Sequence, residues 1–189
     1  MILEGVVTTV SPGGEVNIAP MGPRVEESLR RFTLRPFNTS QTYRNLREHG
    51  EGVLHVTDDV LLIAQAAVGK LPPQPLAPAK RVRGEVLIDC CRWFEFRVVS
   101  LDDSQERVTI EAEVVERGWV RDFFGFNRAM HAVLEAAILA TRTAFLPRDE
   151  IDADMRRLAV IVEKTAGPRE HAAFQFLREH LQQEQDSPR

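Results

Sequence analysis

The stretch from Ile88 to Val114 constrains this chain more than any other. Ile88, Cys90, Phe94, Phe96 and Val98 recur at even spacing. After the turn Leu101 to Gln105, Val108, Ile110, Ala112 and Val114 do the same, with Thr109, Glu111 and Glu113 between them. Side chains alternate faces along a strand, so the pattern predicts two long, half-buried antiparallel strands. Val114-Val115 interrupts the alternation and predicts a β-bulge.

The N-terminal part reads in the same way. Ile2 to Val10 is β-branched and apolar, Ser11-Pro12-Gly13-Gly14 is a turn, and Glu15 to Pro20 resumes an extended run. Arg31 to Phe37 alternates until Pro36 ends its pairing. Asn38 to Gly50 predicts a helix, with Asn38 as cap, Gln41 at its third position and Gly50 as the left-handed stop. A strand over Glu51 to Thr57 follows, then a short apolar helix from Val60 to Val68, started by Asp58 or Asp59 and stopped by Gly69. Four prolines between Leu71 and Ala79 predict a crossing loop.

Beyond Gly118 the periodicity becomes helical. Asn127 is the expected cap of a helix reaching Phe145, with Met130, Val133, Leu134, Ala137, Ile138 and Thr141 as its inner stripe. Pro147 and Gly167-Pro168 delimit two more helices, the second of which buries Ala172, Ala173, Phe176 and Leu181. Hairpin-linked strands without β-α-β alternation argue against a doubly wound fold. The expectation is an α+β protein: a mainly antiparallel barrel-like sheet with an inserted helix over 1–120, then a helical region over 121–189 packed on it.

Several function classes drop out. Asp plus Glu number 28 against 24 Lys plus Arg, a net charge of −4, the wrong sign for a general nucleic-acid binder. No apolar run approaches the roughly 20 residues that span a bilayer, and Met1-Ile2-Leu3-Glu4-Gly5, with no basic region before an apolar stretch, is not expected to be a secretory signal. The two cysteines, Cys90 and Cys91, are adjacent, which suits a reducing, cytoplasmic setting and excludes a disulfide framework. One of the two is expected in the core and the other partly exposed. The five histidines lack metal-ligand spacing, so no metal site is expected. His55, inside a strand, reads as a hydrogen-bonded core residue ahead of a proton donor. Glycine-rich phosphate loops are missing. Trp119, Phe123, Phe124 and Phe126 form an aromatic cluster, read either as packing between the two parts or as a dimer seam.

One segment carries chemistry. Between Ser28 and Arg47 there is no acidic residue, but Arg30, Arg31, Arg35, Arg44 and Arg47 all fall there. A strand ends at Arg35 and a helix starts among Thr39, Ser40 and Thr42. The first turn of a helix offers unpaired N–H groups and about half a positive charge, and a guanidinium beside it grips phosphate in two-pronged fashion. The same residues also describe a capped helix whose hydroxyls serve only its own backbone.

A resemblance bears on that choice. Met1-Ile2-Leu3-Glu4-Gly5-Val6-Val7-Thr8-Thr9, Asn17-Ile18-Ala19-Pro20-Met21-Gly22-Pro23, Leu34-Arg35-Pro36-Phe37, Thr39-Ser40-Gln41-Thr42-Tyr43-Arg44-Asn45-Leu46 and His55-Val56-Thr57-Asp58-Asp59 resemble the DUF447 family, as do Phe126-Asn127-Arg128-Ala129 and the helix around Glu135 to Arg142. That family is similar to the FMN-binding split β-barrels, the superfamily of flavin reductases and pyridoxamine-phosphate oxidases. The resemblance implies a homodimer that binds FMN at or near the subunit interface, with flavin-dependent oxidoreductase chemistry. It assigns the phosphate to Arg35, Thr39, Ser40 and Thr42, with Asn45 supporting the pocket. It places Asn17, Ala19, Pro20 and Met21 along the isoalloxazine ring, and Val56, Thr57 and Asp58 against the ribityl chain. Cys90, Cys91 and Trp93 would approach the ring from a partner subunit. The alternative is a non-catalytic module holding flavin or another phosphate-bearing ligand.

Overall fold

The structure, a computed structural model, describes residues 1–186. It divides into two compact units. The first comprises Met1–Thr57 and Gln74–Phe123; the second comprises Asp58–Pro73 and the chain from Phe124 onward. Residues 58–73, expected with the sheet, thus cluster with the C-terminal helices.

The first unit is built on a seven-stranded antiparallel sheet. Its strands are β1 (Gly5–Val10), β2 (Val16–Met21), β3 (Arg24–Val25), β4 (Arg31–Leu34), β5 (Glu51–Val56), β8 (Arg92–Asp102) and β9 (Thr109–Trp119). Their order is β2-β1-β5-β8-β9-β4-β3. A two-stranded ribbon of β6 (Leu76–Pro78) and β7 (Glu85–Leu87) and one helix, α1 (Gln41–His49), complete the unit.

The sheet curls around one core. Val7, Phe32, Leu34, Leu54, Phe94, Phe96 and Ile110 belong to a single buried cluster, together with Tyr43 and Leu46 from α1. Phe32 and Phe96 lie on strands with β9 between them, yet their rings meet edge to face at 5.1 Å. Two inter-strand spacings in a flat sheet would be about 9.6 Å. The residues before β1 close the curl against β3: Val25 N–H donates to Met1 O at 2.9 Å, and Leu3 N–H to Pro23 O at 3.1 Å.

The anticipated bulge is present. Glu95 faces Glu116 and Phe96 faces Val114, so Val115 is the extra residue. Two backbones approach too closely for a side chain where Gly5 meets β5; a Cβ there would lie 2.5 Å from the carbonyl oxygen of His55.

Several expectations change. Leu76–Pro78 pairs with Glu85–Leu87, so the proline-rich crossing contains a strand. It sits at a ribbon edge, where proline is tolerated. The long strand begins at Arg92, and Ile88 is exposed in the preceding turn. Cys90 and Cys91 precede that strand too; face alternation does not apply, and both are buried. Burial, reinforced by Cys91, pushes the Cys90 thiol up to about 11. Trp119, Phe123, Phe124 and Phe126 are all exposed rather than packed as core.

The second unit contains α2 (Val60–Ala67), α3 (Arg128–Ala140), α4 (Arg148–Thr165) and α5 (Pro168–Asp186). Asp59 caps α2 and Asn127 caps α3, each accepting two first-turn amides. The buried face of α3 keeps Val133 and Ala137 of the expected stripe but is otherwise made of Ala129, Ala132, Ala136 and Ala140. Alanine lets neighbouring helices approach closely, while Met130 and Leu134 flank that seam half-buried. Among the described residues, no helix is long and apolar enough to cross a membrane.

Candidate functional site

The helix α1 is positioned by what precedes it. Pro36 O accepts from Val108 N–H, and Glu106 O accepts from Asn38 N–H. The chain from β4 is therefore tied to the end of the β8–β9 hairpin before the helix starts. Asn38 has its amide committed there, and Ser40 becomes the cap. Ser40 Oγ accepts from Tyr43 N–H at 3.2 Å and donates to Phe37 O at 2.7 Å. Gly50 ends the helix with φ 64°, as its composition implied.

The inner face of α1 is polar where it meets β1 and β2. Asn17 Nδ2 donates to Thr42 Oγ1 at 3.0 Å. Asn45 Nδ2 donates to Thr9 Oγ1 at 3.0 Å, and Gln41 Nε2 donates to Asn45 Oδ1 at 2.7 Å. Thr9, Thr42 and Asn45 are buried and satisfied by one another, as buried polar groups must be. The cluster fixes the pitch of α1 on the strands and leaves its first turn open. Among the described residues, the amides of Gln41 and Thr42 have no acceptor. Arg44 folds over the same turn, donating to Thr39 O at 2.6 Å and through Nη2 to Gln41 Oε1 at 2.8 Å. There is no acidic residue in this turn. Arg35 is exposed, and among the described residues its guanidinium is unpaired.

Thus the structure gathers Thr39, Ser40, Thr42, Asn45 and Asn17 around the start of α1, with Arg35 exposed five residues ahead of the Ser40 cap. The other expected residues lie along the strands. Register pairs Asn17 with Thr9, Ala19 with Val7 and Met21 with Gly5. Those side chains share a face, and Met21 packs against the core cluster. Pro20, opposite Val6, belongs to the other face. Having no N–H, Pro20 suits the free edge of β2. From Asn17 to Met21 the strand covers about 13 Å. Val56 ends β5, and Thr57 follows it, buried. Asp58 belongs to the second unit, where its Oδ2 accepts from Phe124 N–H at 2.9 Å.

Two buried ionisable groups nearby are structural. His55 is fully buried; Leu87 N–H donates to its Nε2 at 3.1 Å, so Nδ1 carries the proton and donates to Val6 O at 3.2 Å. Burial lowers its pKa to about 4, so the ring is neutral and no proton donor at pH 7. Glu95, which the alternation pattern did not flag, is fully buried; its two oxygens accept from the amides of Lys80 and Arg81. Sequence reasoning also missed Thr9 and Gln41. The spacing of Gln41, Arg44 and Asn45 at three and four residues was the available signal for Gln41.

Comparison with known proteins follows the same lines. No curated protein sequence matches this chain. An FMN-bound protein of Methanosarcina mazei is similar in structure, with 22% identity and a TM-score of 0.84 over 95% of this chain and 94% of that one. Nitrilotriacetate monooxygenase component B from Bacillus cereus matches at 16% identity and a TM-score of 0.53, over 64% of this chain and 71% of that one. Flavoredoxin from Methanosarcina acetivorans matches at 13% identity and a TM-score of 0.52, over 62% of this chain and 68% of that one. These likenesses establish a shared fold. The family model described as protein of unknown function (DUF447), N-terminal domain, matches residues 3–121, and its C-terminal counterpart matches 127–179. The chain belongs to the DUF447 family.

Proposed function

We propose that this protein is an FMN-binding flavoprotein with flavin reductase-like oxidoreductase chemistry. The observation that carries the reading is the open first turn of α1, with two unclaimed amides and no acidic group, and an exposed Arg35 five residues before the Ser40 cap whose guanidinium is unpaired among the described residues. Those features suit a phosphate dianion. The half-buried strand β2 suits an elongated ligand with its charge at one end and a flat ring at the other. The FMN-bound relative of the same fold and family supports this choice of ligand.

In this reading Arg35, Thr39 and the amides of Gln41 and Thr42 hold the phosphate, while Ser40, whose hydroxyl is given to Phe37 O and Tyr43 N–H, serves as the helix cap. The Thr42 hydroxyl, Asn45 and Asn17 form the floor that keeps those amides in place. Ala19, Pro20 and Met21 border the ring, Pro20 through its backbone. Val56 and Thr57 stand on the ribityl side. Asp58 is left out, because its carboxylate already binds the Phe124 amide. Bound FMN supplies an electron and hydride carrier. The chain's own residues bind and orient it, and the sealed His55 leaves them without an imidazole acid there. We place the protein in the cytoplasm as a homodimer. Its two buried cysteines, not joined in a disulfide, support the first assignment, and the exposed Trp119, Val120 and Phe123 of the first unit support the second.

The test is cofactor uptake. Purified protein is expected to carry a yellow chromophore that denaturation releases as FMN, or to take up added FMN at micromolar concentration. A colourless protein that ignores FMN but is stabilised against heat by a different phosphate ester would favour the alternative of a flavin-free binding module.

A further inference from the structure

We propose that Arg107 is a second phosphate-binding guanidinium of the α1 cradle and makes the site select FMN over riboflavin; the proposal rests on the FMN reading above. Arg107 lies far from the cradle in sequence but is brought to it by the β8–β9 hairpin. Phe37 and Arg107 form an isolated antiparallel bridge. The Arg107 guanidinium carbon sits 3.7 Å from the centroid of the Phe37 ring, and Nη1 donates to Arg35 O at 3.0 Å. It is therefore held three residues before the Ser40 cap, against the backbone of the other guanidinium in the cradle.

Its charge is unanswered. Among the described residues Arg107 has no ion pair, and only one of its five N–H groups has a protein acceptor. Two acids of its own hairpin turn are held by other partners, and among the described residues Glu106 beside it makes no ion pair with it. Asp103 Oδ2 accepts from Tyr43 O–H at 2.7 Å, and Asp102 Oδ1 accepts from Ser104 N–H at 3.0 Å. A planar guanidinium stacked on an aromatic ring has already lost much of its rotamer freedom, so engaging an anion costs it little more. A staple for Phe37 alone would need the stack but not the free donors.

Dissociation constants for FMN and riboflavin, read by quenching of flavin fluorescence, separate these roles. In wild type, FMN is expected to bind more tightly than riboflavin. Arg107→Ala is expected to weaken FMN about tenfold, the order of one charge-assisted contact, and to leave riboflavin within about twofold. Arg107→Gln, which retains a donor for the Arg35 carbonyl but no charge, is expected to behave like Arg107→Ala, and Arg107→Lys to recover part of the selectivity. Equal weakening of both flavins would assign Arg107 to structure alone and overturn the proposal, as would FMN binding unchanged in Arg107→Ala. A wild type that binds neither flavin would instead overturn the FMN reading itself, and this inference with it.

Discussion

Acidification from pH 7 to pH 4 is expected to cost the folded protein about 3 kcal/mol through one side chain, His55. Its imidazole is fully buried, and both ring nitrogens are spoken for. Protonation would place a second N–H against the Leu87 amide that now donates to Nε2. Burial therefore lowers its pKa from 6.5 to about 4. The sign follows from which state takes the proton. Above pH 6.5 both states are neutral and the contribution is fully present. Between 6.5 and 4 the unfolded chain protonates while the folded one refuses, so stability falls by about 1.4 kcal/mol per pH unit. Below pH 4 this group costs nothing further. His180, also lowered by burial, acts in the same direction, so the diagnostic is a difference between proteins. Urea unfolding from pH 7 to pH 4 should show a shallower pH slope for His55→Gln than for wild type. Parallel slopes would contradict the assignment.

Removing the Arg35 side chain is expected to weaken FMN binding by one to two orders of magnitude, or about 1.5–3 kcal/mol for a charged hydrogen-bonding partner. Arg47→Ala is the matched control. Arg47 lies in the same acid-free window, but its Nη1 donates to Tyr43 O–H at 3.2 Å and its guanidinium stands 6.0 Å from that ring's centroid. That places it toward the last turn of α1, away from the open amides. Its loss should change FMN affinity by no more than about twofold, the level of a distant screened charge. Equal effects of the two substitutions, measured by fluorescence titration, would show that the basic window acts only as a diffuse field.

Local chemistry was legible in the sequence wherever one turn of chain decided the outcome. The Ser11–Gly14 turn, the Gly50 stop, the Asn127 cap and the Val115 bulge are of this kind. The start of α1 was not, because the amide of Asn38 is captured by Glu106, from a distant hairpin, and the cap moves two residues on. The short strand Leu76–Pro78 was hidden by its prolines and depends on a partner strand that only the fold supplies. Glu95 reads as a surface charge in any alternation scheme; its burial depends on two loop amides that arrive from Lys80 and Arg81.

The candidate site divides in the same way. Arg35 and the Ser/Thr-rich helix start were visible as residue types in one short segment. Thr9, which ties Asn17 and Asn45 into one cluster, meets α1 only once the helix packs on β1, and Arg107 reaches the segment only through the pairing of its hairpin with Phe37. The sequence could not indicate that the hydroxyl of Ser40 is divided between Tyr43 and Phe37, which leaves the backbone amides of Gln41 and Thr42 as the principal donors.

Diffraction from crystals of the protein grown with FMN tests the central claim most directly. The account predicts density for the phosphate within hydrogen-bonding distance of the Gln41 and Thr42 amides, with the Arg35 guanidinium against it. Phosphate density elsewhere on the molecule, with those amides facing solvent, would contradict it.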